Sequence, residues 1–292
     1  GWSNAGLIID GDQSLLVDTL FDLPLTAEML SAMRDAAPAA KEIDTLVNTH
    51  ANGDHTFGNQ LVEGAEIVAS AACKEEMLMR PPEVFVNRIR SWEEMGDAGA
   101  IIWELMGRKF DFDGLENRVP TKTFDRELTL SVGDKRVELT NVGPAHTRGD
   151  VLVHVPEDKT IYTGDIVFVG GHPVMWSGPV GNWIGACDYI LALDVETVVP
   201  GHGPISGKNE VRALRNYLAE LQDEARKRYD AGMEVEEAAL DISMADFDGW
   251  FDAERIVINL HTLFGEYAGE RPSFDRIKLF GMMARYAKMR QG

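Results

Sequence analysis

Thr49-His50-Ala51-Asn52-Gly53-Asp54-His55 follows directly on the apolar run at residues 43–47. In this short stretch the chain sets two imidazoles and a carboxylate at the end of what reads as a brief strand. The pattern His-x-x-x-Asp-His offers the nitrogen and oxygen donors that a borderline-soft divalent ion such as zinc takes. Polar groups recur after the other predicted strands. Asp18 ends the run at 15–17, and His146 stands in Gly143-Pro144-Ala145-His146-Thr147-Arg148-Gly149-Asp150. Asp165 follows Ile161-Tyr162-Thr163-Gly164, and His202 lies in Pro200-Gly201-His202-Gly203-Pro204 after the run at 195–199. In layered α/β folds the strand-end loops are where functional groups converge. A solitary histidine in such a loop is ordinarily structural; four, together with aspartates at matching places, read as a metal site.

The patterning around these loops is that of an α/β protein. Apolar runs at 5–9 and 15–17 flank Asp10-Gly11-Asp12-Gln13 as a hairpin. A helix starts between Asp22 and Thr26 and runs through Met33, with Leu25, Met29, Leu30 and Met33 on one face. Strands follow at 43–47 and 67–69. Residues 71–118 form an irregular insertion, helical at 73–79 and 92–106 and broken at Pro81-Pro82. It serves equally well as a pocket wall or as plain packing. Strand alternation returns at 127–132 and 136–142 around Gly133-Asp134, at 151–155 and 160–162, and at 195–199. From Lys208 onward the pattern is helical, with Val211, Leu214, Leu218, Leu221 and Ala225 in one stripe. A second helix is expected over 253–267, and apolar positions from Ile277 to Tyr286 end among basic Arg285, Lys288 and Arg290.

The 292 residues carry 28 Lys and Arg against 48 Asp and Glu, a net charge of -20. That balance disfavours nucleic acid and anionic membrane surfaces as partners. No run of 18 apolar residues is present. Cys73 and Cys187 lie far apart, which fits a reducing, cytoplasmic setting better than one long-range bridge. The chain opens on Gly1 rather than Met, so a removed N-terminal leader stays open.

The motifs together resemble the metallo-beta-lactamase fold superfamily, whose hallmark is a His-x-His-x-Asp-His loop followed by separate His, Asp and His ligands. The resemblance covers residues 4–206 and leans toward the glyoxalase-like and polyketide-cyclase-like members. It implies an αβ/βα sandwich of two mixed sheets with a C-terminal helical extension, divided as a catalytic region at 1–207 and an appendage at 208–292. It also implies a first metal position held by His50 and His146, with Asn52 where a second imidazole is usual. Asp54, His55 and His202 would form the second position, Asp165 would bridge the two, and Asp18 would support the loop. A neutral amide oxygen is a poorer zinc donor than imidazole, so one or two zinc ions are expected, with manganese or iron as alternatives.

The function that follows is a metal-dependent hydrolase acting on a small-molecule carbonyl substrate: an ester, thioester, lactone or lactam with a partly apolar acyl group. Asp54 would orient the attacking water, and His172 is the candidate for leaving-group protonation. Arg148 would face a substrate carboxylate or Asp150. Phe57, Phe168, Trp176 and Trp183 would line the pocket, and no basic cluster for a glutathione carboxylate or a phosphate is evident. Two other functions remain: a metal-dependent cyclase or aldolase-like enzyme acting on a poly-keto substrate, and a noncatalytic metal-containing binding protein. A homodimer is compatible with the methionine-rich helices.

Overall fold

A computed structural model describes residues 2–270 and 275–291. Strands β1 (Gly6–Asp10), β2 (Gln13–Val17), β3 (Thr45–Val47), β4 (Glu66–Ser70) and β5 (Lys122–Phe124) form one sheet in that order. The first pair is antiparallel and the remaining neighbours are parallel. In the second sheet, β6 (Glu127–Val132), β7 (Lys135–Asn141), β8 (Val151–Val155) and β9 (Thr160–Phe168) are successive antiparallel neighbours. Strand β10 (Thr197–His202) joins β9 in parallel. Both sheets are therefore mixed.

Period-two alternation sorts the strand residues between two layers. Leu15 and Val17 of β2, Val47 of β3, Val68 of β4 and Val151, Val153 and Val155 of β8 meet between the sheets. Their neighbours Leu16, Leu46 and Ile67 face the other way, onto Leu30 of α1 (Leu23–Ala36). That helix starts where the sequence asks it to: Asp22 accepts from the Leu25 amide at 2.9 Å, and Pro24 sits in the first turn.

After the turn α2 (Gly53–Thr56), the insertion holds α3 (Ala71–Met79), α4 (Pro82–Arg90) and α5 (Gly96–Ile102). The outer side of the second sheet is covered by α6 (Val180–Ala192) and α7 (Lys208–Asp230), and α8 (Val235–Asp241), α9 (Ile256–Tyr267) and α10 (Arg276–Gln291) pack beyond them. Leu152, Ile161 and Val198 share one buried cluster with Trp183, Leu214, Leu218, Leu260 and Leu279. The result is the αβ/βα sandwich with helices beyond it. Among the described residues no helix is long and apolar enough to cross a membrane.

Four elements differ from the sequence reading. Helices α4, α6 and α8 and strand β5 carried no sequence expectation; Pro81-Pro82 masked α4, and the Gly/Pro-rich stretch before Val180 masked α6. Strand β9 also runs well past Tyr162. The β9–β10 register breaks between Val199 and Pro200 and again before His202. These irregularities keep pairing alive through Asp165, so that residue sits within a strand rather than after one. Cys73 and Cys187 are buried and unbridged, in separate apolar clusters.

Candidate metal centre

The loop after β3, the turn α2, the β7–β8 loop, the irregular part of β9 and the end of β10 bring six side chains together. Asp165 stands at the middle. Its Oδ2 lies 3.2 Å from His146 Nε2 and 3.7 Å from His50 Nε2. Its Oδ1 lies 3.1 Å from His55 Nε2 and 3.2 Å from His202 Nε2. Asp54 Oδ2 is 3.4 Å from His202 Nε2 and 3.7 Å from His55 Nε2. The donors fall into two triads, His50–His146–Asp165 and Asp54–His55–His202, each with its ligand atoms within 4.8 Å of one another. One carboxylate thus offers an oxygen toward each side.

All four imidazoles turn Nε2 inward because Nδ1 is engaged behind. Nδ1 of His146 meets the Val174 carbonyl at 2.6 Å, and that of His202 meets the Trp2 carbonyl at 2.9 Å. His55 Nδ1 meets Asp18 Oδ2 at 2.9 Å. His50 Nδ1 lies 3.0 Å from Thr49 Oγ1, whose own proton goes to Asp18 Oδ2 at 2.7 Å. Nδ1–H donation to these acceptors leaves Nε2 as the nitrogen that a metal can take once each ring is neutral, the arrangement metal-binding histidines use. The fit to a cation has a direct sign. His50 Nε2, His55 Nε2 and Asp165 Oδ1 are buried and have no hydrogen-bond partner, a cost that a bound ion removes. The centre suits one or two divalent metal ions.

Protonation within the cluster is split by the same contacts. Burial and the neighbouring imidazoles outweigh Asp165 and push His50 well below its usual value, and burial takes His146 down to about 4. For His55, burial acts downward but Asp165 and Asp54 hold it well above; His202 is likewise lifted to about 9 by Asp165 and Asp54 against burial. Burial works against the charge of Asp54, yet His55 and His202 hold its carboxyl at about 2. Asp165 stays well below the carboxylate range for the same reason, its four imidazole neighbours overriding desolvation.

The scaffold around the donors is specific. Asp18 takes a left-handed backbone, φ 60°, uncommon for a residue with a side chain. From there its carboxylate accepts from the Thr49 amide, the Thr49 hydroxyl and His55. Gly201 is required by close approach: a Cβ there would stand 2.0 Å from Asp165 Oδ1. The His146 loop is folded over Asp150, which accepts from Thr147 Oγ1 at 2.6 Å and from the Ala145 amide at 3.2 Å. The buried pair Asn48 and Asn59 exchanges amide hydrogen bonds of 3.1 and 2.8 Å under the His55 turn, and Thr19 donates to the His55 carbonyl. The asparagines had no signal in the sequence, since nothing in their spacing separates them from loop polar residues.

Asn52 immediately precedes α2 and brings Nδ2 to 2.9 Å from His146 Nε2, so it stands beside the first triad. His172 is placed elsewhere. Its Nδ1 lies 2.9 Å from the Tyr217 hydroxyl, its ring packs on Tyr217 and Trp250, and it does not line the cavity at the centre. Trp183, expected in the pocket, is fully buried in α6 and donates to the Ile166 carbonyl at 2.9 Å. Arg148 pairs with Glu75 at 3.0 Å rather than with Asp150.

A cavity of about 240 Å³ opens beside the donors, with Asn52, Asp54, Asp165 and His202 in its wall. Phe21, Phe57, Phe85, Phe168, Trp176 and Phe280 give it an aromatic lining. The insertion contributes Val84, Phe85 and Met106, and α10 contributes Phe280 and Met283, so both regions wall the cavity. Four arginines, Arg80, Arg88, Arg255 and Arg276, also face it. The expectation that no basic cluster is present is thereby corrected: its members come from three helices and the end of a fourth, and sequence spacing could not unite them.

Residues 3–202 match the family model of the metallo-beta-lactamase superfamily. The chain belongs to this superfamily. It is 25% identical over 230 residues to the acyl-coenzyme A thioesterase MBLAC2 of Bos taurus, covering 74% of this chain and 79% of that protein. Among solved structures, the metallo-beta-lactamase FIM-1 from Pseudomonas aeruginosa superposes with a TM-score of 0.51 at 23% identity, covering 75% of this chain and 83% of that one. The sec-alkylsulfatase Pisa1 from Pseudomonas sp. gives a TM-score of 0.65 at 15% identity over 94% of this chain and 49% of its own. That wider coverage shows that much of the helical extension also has a counterpart within the fold. Superfamily membership and the paired donor triads make the protein a metal-dependent hydrolase for a carbonyl-type substrate.

Proposed function

We propose that this metallo-beta-lactamase-fold protein is a zinc hydrolase of carboxylic esters or thioesters with a partly apolar acyl group, and that lactones and lactams are weaker substrates. The observation that carries this is a shared wall: Asp54, Asp165 and His202 line the same cavity as Phe57, Phe85 and Trp176. A carbonyl beside the donors therefore has its acyl chain against aromatic rings. A thioester is supported by the similarity to the acyl-coenzyme A thioesterase MBLAC2 of Bos taurus.

In this reading His50, His146 and Asp165 would hold one ion, with Asn52 able to offer its amide oxygen once its Nδ2 contact with His146 is released, and Asp54, His55 and His202 would hold the other, with Asp165 available to both. When bound, the ions supply acidified water and a Lewis acid for the carbonyl. Asp54, ionised across the physiological range, accepts a hydrogen bond from the attacking water and orients it. The Val174 and Trp2 carbonyls and Asp18 keep the imidazoles pointed inward. The aromatic wall excludes bulk water from the acyl side. His172 has no role in this scheme, because it faces Tyr217 and Trp250.

Steady-state rates on a series of thioesters and oxoesters with lengthening acyl chains test the proposal. Values of kcat/KM should rise with apolar acyl length until the cavity is filled. Hydrolysis of phosphodiesters with none of acyl substrates would overturn it.

A further inference from the structure

Three guanidinium groups meet at the cavity wall in a chain whose net charge is -20. Arg80 ends α3, Arg88 lies on α4 and Arg276 opens α10, so three separate elements are needed to assemble them. Their compensation is thin. Glu76 lies 3.9 Å from Arg80 and already accepts from the Arg148 amide at 3.0 Å. Arg88 makes no ion pair among the described residues; Asp275 attracts it only at longer range, while Arg80 repels it. Arg276 has its Cζ 4.5 Å over the Trp176 ring, and its Nε is buried without a hydrogen-bond partner. The fourth arginine of the wall is different: Arg255 is committed to Asp252 and to the His172 carbonyl.

Clustering cations in a partly apolar wall costs free energy through desolvation and mutual repulsion, and an unmet buried N–H adds to it. An anion placed among the three groups would relieve all of these terms at once. Guanidinium forks are shaped for planar or tetrahedral oxyanions. The cation–π contact with Trp176 holds one fork in place without using its hydrogen-bond donors.

We propose that Arg80, Arg88 and Arg276 form an anion subsite, and that the substrate of the neighbouring centre carries a carboxylate, sulfate or phosphate at the end remote from its scissile carbonyl. The assignment of that anion to a substrate rests on the hydrolase reading; the subsite itself does not. The substrate is then an amphiphile, with its reacting carbonyl at the donor triads, its apolar body against Phe57 and Phe85, and its anion at the arginines. A cavity of about 240 Å³ is somewhat larger than the ~150 Å³ that holds benzene, which suits a substrate of modest size.

The test is calorimetric titration of the full-length, metal-loaded protein with 4-phenylbutane-1-sulfonate and with the neutral methyl sulfone of the same length. A sulfonate is a weak metal ligand, so any preference reports on the arginines. The sulfonate should bind at least about tenfold more tightly, the margin of one charge-assisted hydrogen bond. Both Arg276→Gln and Arg88→Gln should remove most of that margin, and the two substitutions lie on different helices, so a folding defect in one leaves the other decisive. The matching carboxylate and phosphonate distinguish which oxyanion the subsite takes. Equal binding of sulfonate and sulfone would overturn the proposal. So would a preference that survives both arginine variants and disappears with chelator, since the anion would then sit on the metals. Arginine-dependent sulfonate binding by a protein that cleaves no ester would keep the subsite and defeat the hydrolase reading.

Discussion

Asp18→Asn isolates one link between backbone conformation and metal chemistry. Asn tolerates the left-handed backbone at this position, φ 60°, so the turn survives. One carboxylate oxygen accepts from the Thr49 amide at 2.7 Å, and the amide oxygen of Asn can keep that bond. The other receives both the Thr49 hydroxyl at 2.7 Å and His55 Nδ1 at 2.9 Å, and an NH2 group must now face both. Thr49 can rotate and accept. The His55 ring can satisfy the new donor only by accepting at Nδ1, which moves its proton to Nε2, the atom that faces Asp54 and Asp165. A ligand nitrogen becomes a donor directed at the metal. Loss of such supporting partners typically lowers metal affinity about 10–100-fold, or about 1.4–2.7 kcal/mol. Competitive chelator titration should therefore show the Asp54–His55–His202 position weakened by that amount while the first triad is less affected. Nitrogen NMR of the His55 ring, at a pH where it is neutral, should show the Nε2–H tautomer in the metal-free variant. Unchanged affinity at the second triad, with Nδ1 still protonated, would refute the reasoning.

Further expectations follow from the same contacts. Asn52→His should raise metal affinity at the first triad, since it replaces a carboxamide beside His146, a poor zinc donor, by imidazole, and need not raise kcat; titration and rates on the same preparations decide this. Metal affinity should climb with pH up to about 9, because the ion must displace the proton that Asp165 and Asp54 hold on His202. The metal-free protein should behave oppositely. The His202 pairing stabilises it fully below pH 6.5, and that contribution is lost as pH rises through about 9, as thermal melts in chelator across pH will show. Trp183→Ala should cost about 3–5 kcal/mol of stability by emptying a fully buried site and orphaning the Ile166 carbonyl, read as a fall in the denaturant midpoint.

The α/β character was legible because apolar runs such as Leu15-Leu16-Val17 are bounded by turn residues and because Asp22 with Pro24 marks a helix start; the sandwich itself was implied by the family resemblance of the motifs. The donors were legible because strand ends hold them at recognisable spacing. Elements flanked by proline and glycine were not: α4 begins at Pro82, and α6 follows Gly178-Pro179, where local composition signals a break. Position in the chain also misled. His172 stands seven residues after Asp165 yet turns to Tyr217, because Asn259 of α9 takes the Met175 amide and the Pro173 carbonyl and draws that loop onto the helix. The arginine cluster is assembled only by tertiary structure, from residues as distant as Arg80 and Arg276.

The central claim is that turnover depends on ions held by the two triads. Protein stripped by chelator should be titrated with zinc while hydrolysis of an apolar acyl thioester is followed. The account predicts no activity before metal, a rise that saturates at one or two equivalents, and loss of that response in His202→Ala. Full thioesterase activity in the stripped protein, or a metal response that His202→Ala leaves intact, would contradict it.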